Sequence, residues 1–152
     1  MLFSVIIPTF NRWHSLRRTL DSLVTQSLEA GLFEIIVVDD GSTDETRSGE
    51  FHYDQVTFLH VQNRGPAAAR NAGAVTARGE ILVFTDDDCA VPYQWLQKIE
   101  NLFAAIHCDL LGGATRNAET GYYWSDVHQS ITDFWQQAVN KGDSRDRSEE
   151  RR

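Results

Sequence analysis

The sequence predicts a three-layer α/β/α sandwich around a mostly parallel sheet. Three observations lead there. Four short runs are almost wholly apolar and rich in β-branched and aromatic residues, the segments between them repeat apolar residues at helical spacing, and each run ends in a cluster of polar residues. Runs without polar alternation suit strands covered on both faces. Strand–helix–strand alternation with short connections gives right-handed crossovers and layered packing.

Taken in order, the first run is LFSVIIP (2–8). SLRRTLDSLVTQSL follows, with Leu16, Leu20, Leu23, Val24 and Leu28 on one stripe. FEIIVVD (33–39) is the second run, and the crossover after it, GSTDETRSGEFHYDQ, is the least regular, with room for one short helix after Asp44. VTFLHV (56–61) is the third. In GPAAARNAGAVTARG behind it, Pro66 suits a first helical turn and Gly79 a C-terminal stop. EILVFT (80–85) is the fourth, and YQWLQKIENLFAAI repeats the stripe with Trp95, Ile99, Leu102, Phe103 and Ile106. DLLGGAT (109–115) reads as a fifth strand. Further on, Trp124, Val127, Ile131 and Trp135 share one side of an expected amphipathic helix, and KGDSRDRSEERR has the mixed charge of a solvated tail. The expected organisation is a core over 1–115, a helical region over 116–140 and a flexible tail over 141–152.

Composition narrows the function classes. The 152 residues fit one domain with a real core, and 41% apolar with 24% charged residues reads as soluble and globular. A net charge of -8 argues against a nucleic-acid partner, which needs a basic face. It leaves room for an anionic ligand bridged by a divalent cation. Cys89 and Cys108 lack metal-type spacing, so two free thiols in a reduced cytosol are expected. No run reaches the roughly 18 apolar residues of a spanning helix. The expected location is cytoplasmic, with peripheral attachment at the inner face of the membrane left open. The five histidines are scattered and suit surface or structural roles better than metal binding.

The polar clusters carry the chemistry. PTFNR, DDGSTD, QNRGPAAARNAG and DDD each follow a strand, and a parallel sheet brings all four to its carboxyl edge, where open α/β sheets bind ligands. Asp39 and Asp40 suit hydrogen bonds from base N–H and ribose hydroxyl groups. The structural alternative is a turn at Gly41 with an N-cap at Thr43 or Asp44. A helix start beside Arg64 and Arg70 suits a phosphate, and its Ala and Gly residues equally suit tight helix–sheet packing. Asp86, Asp87 and Asp88 have fewer bland explanations: one carboxylate suffices for an N-cap. Hard divalent cations take oxygen ligands and are shared between carboxylates and substrate phosphates, so Mn2+ or Mg2+ is the expected cofactor.

VIIPTFNR, VVDDGSTDET, NRGPAAARNAGA and VFTDDDCAVPYQWL, in this order, resemble the nucleotide-binding half of family 2 glycosyltransferases over residues 3 to about 115. The resemblance implies the Rossmann-like GT-A fold, a D-x-D metal motif and inverting transfer of a sugar from a nucleotide diphosphate, a UDP-sugar first of all. The acceptor would be the hydroxyl of a glycan, a lipid or another molecule. Residue by residue, it implies that Pro8 and Thr9 line the nucleotide pocket with Asn11 and Arg12 at its rim. Asp39 would contact the base with Asp40 close by, and Arg70 would approach the nucleotide. Asp88 and Asp86 would hold the metal, with Asp88 foremost, and Asp87 would face the ribose or diphosphate.

The sequence departs from the family pattern on the acceptor side. No Glu-Asp pair followed by an acceptor-side helix is present to supply the general base, and Glu149 and Glu150 sit in the charged tail. The expectation is therefore a donor domain, truncated or separated, with weak transfer alone. A non-catalytic nucleotide-sugar-binding or interaction module is the alternative. A nucleotidyltransferase would want an early Gly-rich lysine signature where IPTFNRWHS stands. A phosphoacceptor receiver would want a lysine after a late strand, whereas the lysines here are Lys98 and Lys141.

Overall fold

A computed structural model of the chain describes residues 1–48, 53, 55–106, 108–114 and 116. Met1–His107 forms one compact unit and Cys108–Arg152 a second. The first unit runs β1 (Phe3–Thr9), α1 (Trp13–Leu23), a 3-10 turn (Ala30–Leu32), β2 (Phe33–Asp39), α2 (Glu45–Ser48), β3 (Val56–His60), α3 (Pro66–Thr76), β4 (Ile81–Phe84) and α4 (Trp95–Ala105). The strands form one sheet in the order β3-β2-β1-β4. All pairings are parallel: Phe3 to Thr9 face Phe33 to Asp39, Phe3 to Ile6 face Ile81 to Phe84, and Ile35 to Asp39 face Val56 to His60. Every residue of β1 and β2 is buried, as their unbroken apolar runs predict.

Alternation along the strands separates two cores. On one face Phe3, Val5, Ile7, Ile35 and Val37 pack with Leu16, Leu20 and Leu23 of α1 and Leu96 of α4. On the other, Ile6, Ile36 and Val38 meet Ala69 of α3. Each large side chain so buried contributes about 1.5–3 kcal/mol. The second core is thin because α3 lies close: a Cβ at Gly73 would stand 2.6 Å from Ile6 Cγ2 and 3.0 Å from Val38 Cγ2. Tight packing is thus one use of the small residues in AAARNAG.

The amino edge of the sheet is closed by a polar clamp. Glu34 Oε1 accepts from Ser4 Oγ at 2.6 Å and from the Arg78 backbone N–H at 2.7 Å. Its Oε2 accepts from Arg78 Nε at 2.9 Å and Nη2 at 2.7 Å, and Ser4 Oγ in turn accepts from the Gly79 N–H at 2.8 Å. Burial pushes the Glu34 carboxyl up, but the bonds from Ser4 and Arg78 outweigh it and hold it below the usual glutamate range. A depressed folded pKa adds stability above the unfolded pKa and loses it as pH falls through the folded value. Glu34→Gln is therefore expected to cost about 2 kcal/mol at neutral pH. Urea titrations should show the gap to wild type narrowing as pH falls from about 5 to about 3; a gap constant with pH contradicts the ionic clamp.

Three expectations need correction. Residues 109–114 form no strand, and Gly112 and Gly113, with open space around them, are poor strand residues. The first helix ends at Leu23 although Leu28 is buried, because the chain turns and still delivers Leu28 to the core. In α4, Leu96, Trp95 and Ile99 meet the core, while Leu102 and Ile106 are exposed. The helix expected at Trp124–Trp135, the 116–140 region beyond Arg116 and the charged tail lie outside the described residues.

Candidate functional site

Parallel pairing brings the carboxyl ends of β1 to β4 together, and a cavity of about 410 Å3 opens there. Pro8, Thr9, Phe10, Arg12, Asp40, Pro66, Arg70, Asp86, Asp87 and Asp88 line it. Its rim is fixed by bonds between loops. Asn11, in the left-handed region at φ 54°, accepts at Oδ1 from the Thr43 N–H at 2.7 Å and the Asp44 N–H at 3.3 Å. Its own N–H donates to Ser42 Oγ at 2.8 Å. Asp44 also caps α2, accepting from the Thr46 N–H at 3.0 Å, and Gly41 takes φ 83° in the turn before it. Much of DDGSTD therefore builds the loop.

The adjacent aspartates Asp39 and Asp40 have different surroundings. Asp39 is fully buried and not part of the cavity lining, accepting from the Ser42 N–H at 2.8 Å and contacting His60 Nδ1 at 2.9 Å. Burial raises its pKa, but Ser42 and His60 outweigh that and hold it below the usual aspartate range. Asp40 borders the cavity and accepts from the backbone N–H groups of Arg64 and Gly65, each at 2.8 Å. It clasps the loop after β2 to the loop that starts α3, where Gly65 has φ 89° and Pro66 opens the helix.

The acidic run is neutralised from within. Asp87 is 5% exposed, accepting at Oδ2 from Thr9 Oγ1 at 2.8 Å and at Oδ1 from Arg12 Nη1 at 3.2 Å. Its backbone carbonyl accepts from Thr19 Oγ1 at 2.9 Å, tying the run to α1. Burial pushes the Asp87 carboxyl up, Thr9 and Arg12 oppose this, and Asp88 adds to the rise. The same Arg12 Nη1 lies 2.9 Å from Asp88 Oδ2, and Arg70 Nη2 pairs with Asp86 Oδ1. The Arg12 guanidinium is held above its ordinary pKa, by Asp87 first and then Asp88.

Eight predicted site residues thus meet in one place: Pro8, Thr9, Arg12, Asp40, Arg70, Asp86, Asp87 and Asp88. Asn11 and Asp39 do not line the cavity; they brace it. Phe10 and Pro66 line it as well, Phe10 not having been singled out and Pro66 only as a helix start. An aromatic inside the polar PTFNR cluster, 45% exposed, was the available signal for Phe10. Among the described residues no group of three His, Cys, Asp or Glu could hold a metal by itself. The half-exposed Asp88 carboxylate offers the hard oxygen donors that Mn2+ or Mg2+ accepts when substrate phosphates complete the shell.

A parallel sheet in this order, with helices on both faces and polar loops at its carboxyl edge, defines an α/β domain of the GT-A class. The family model for Glycosyl transferase family 2 matches residues 4–149, and the chain belongs to that family. It is 35% identical over 115 residues to the glycosyltransferase AglE of Haloferax volcanii, covering 72% of this chain and 38% of AglE. It is 34% identical over 116 residues to the poly(ribitol-phosphate) beta-N-acetylglucosaminyltransferase TarS of Staphylococcus aureus, covering 73% of this chain and 20% of TarS. The crystal structure of S. aureus TarS 1-349 in complex with UDP-GlcNAc superposes with a TM-score of 0.66 at 28% identity, covering 77% of this chain and 38% of that one. A mannosyltransferase from Pyrobaculum calidifontis in complex with GDP-Man and Mn2+ superposes with a TM-score of 0.55 at 36% identity, covering 59% and 28%. The chain spans well under half the length of these relatives.

Proposed function

We propose that this chain is the donor-binding part of a metal-dependent glycosyltransferase, holding a nucleotide-diphosphate sugar for inverting transfer to an acceptor hydroxyl. The observation that carries the reading is the cavity at the carboxyl edge, where a buried carboxylate, an exposed aromatic and two arginines converge. Asp40 replaces Asp39 as the base-facing carboxylate, since only Asp40 borders the cavity. Phe10 offers an apolar face for the base. Arg12 and Arg70 supply guanidinium groups for the diphosphate, and Asp87 faces the ribose or diphosphate. Asp88 and Asp86 would hold Mn2+ or Mg2+, whose charge would offset that developing on the leaving diphosphate. A UDP-sugar is the donor favoured by the TarS complexes, and the GDP-Man complex keeps GDP among the nucleotides to test. No described residue is assigned to deprotonate the acceptor. The donor module occupies 1–115, with the acceptor side beginning in 116–140.

Calorimetric titration of UDP, GDP and dTDP, with and without Mn2+, tests the assignment. Binding should need Mn2+, and Asp88→Ala should weaken it about 10- to 100-fold, the value of one charge-assisted contact. Metal-independent binding that is unchanged in Asp88→Ala refutes the site.

A further inference from the structure

We propose that Arg12, anchored on the buried Asp87, is an internal counter-ion that closes Asp88 to a divalent cation until a nucleotide diphosphate draws it away. This rests on the donor-site reading above. One nitrogen, Nη1, serves both carboxylates, at 3.2 Å from Asp87 Oδ1 and 2.9 Å from Asp88 Oδ2. Thr9 takes the remaining oxygen of the buried Asp87, and Arg70 holds Asp86. Asp86 and Asp88 each keep one carboxylate oxygen clear of an arginine, and Arg12 occupies Oδ2 of Asp88.

Arg12 can leave without moving the backbone, and Asp87 then keeps its bond from Thr9 while the diphosphate's cation replaces the lost positive charge. It stands immediately before α1, where its carbonyl accepts from the Leu16 N–H at 3.0 Å, so the backbone is anchored while the side chain is 55% exposed. A rotamer change releases it without disturbing a core. A diphosphate is the natural competitor, because phosphate oxygens accept from a guanidinium in bidentate geometry. The same ligand also provides the oxygens that the described residues lack for a full metal shell. Cation and nucleotide then assist each other, and Arg12 is the positioning residue through which they are coupled.

The test measures free Mn2+ by electron paramagnetic resonance in titrations of the 152-residue chain, with and without UDP. Wild type should bind Mn2+ weakly alone and roughly tenfold or more tightly with UDP. Arg12→Gln should raise Mn2+ affinity without UDP about two- to fivefold, the range of an exposed ion pair, and shrink the gain on adding UDP. Arg12→Lys, which keeps the charge, should return most of the wild-type behaviour. An Arg12→Gln protein with a wild-type melting curve and unchanged or weaker Mn2+ binding without UDP overturns the inference, provided that wild type still couples Mn2+ to UDP. Wild type that binds no UDP at any Mn2+ concentration instead overturns the donor-site reading, and this inference with it.

Discussion

Asp40→Ala is expected to cost about 3 kcal/mol of stability and to abolish UDP binding in the same variant. Asp40 is 4% exposed, and its two oxygens accept from the Arg64 and Gly65 N–H groups at 2.8 Å. Truncation leaves both donors unpaired, at about 1–3 kcal/mol for each that stays buried. It also frees the loop that opens α3 from the loop that follows β2, so the cavity loses a wall as well as a ligand-facing carboxylate. Urea denaturation measures the first effect, and calorimetry at a temperature where the variant is folded measures the second. Asp40→Asn, which keeps one acceptor, should fall between the two. A variant as stable as wild type would show that these bonds do not hold the loops.

Gly79→Ala should cost about 3 kcal/mol by a different route, and leave nucleotide affinity unchanged in the folded protein. A Cβ there would stand 2.5 Å from Phe3 C and Ser4 N and 2.8 Å from Ser4 Oγ. The first two are backbone atoms of a fully buried strand and cannot swing aside. Either β1 shifts against its neighbours, or the bond from the Gly79 N–H to Ser4 Oγ opens with the Glu34 clamp behind it. This strain falls at the amino edge of the sheet, and the cavity lies at the carboxyl edge. The urea midpoint should therefore drop while the UDP dissociation constant holds, the opposite of a binding-site defect. A normal midpoint would mean that the helix–strand junction yields more easily than its geometry implies.

The four strands of the sheet were legible to within a residue because runs such as FEIIVVD have one physical use in a small domain, whereas DLLGGAT misled. Their polar ends were legible as a site because parallel pairing leaves them one meeting place. Less legible was which of two neighbouring carboxylates lines the cavity. The strand ends at Asp39, which turns inward to Ser42 and His60, while Asp40 in the loop beyond it lines the cavity, and the sequence does not say which is which. The pairing of Arg12 with aspartates 75 and 76 positions away was likewise hidden, since no local pattern encodes it. The repulsion within DDD is offset by Arg12 and Arg70, a pairing that three adjacent carboxylates do not announce. In α4 the periodicity of Leu102 and Ile106 reports an apolar stripe without reporting what covers it.

The bonds that Asn11 and Asp40 make across three loops bear on time as well as on structure. Loops tied to one another before a ligand arrives have already given up their freedom during folding, so little ordering is left for the encounter. On the donor-site reading, capture would then proceed at the pace set by diffusion and charge, much the same for one nucleotide as for the next, and discrimination would be carried by how long each complex lasts.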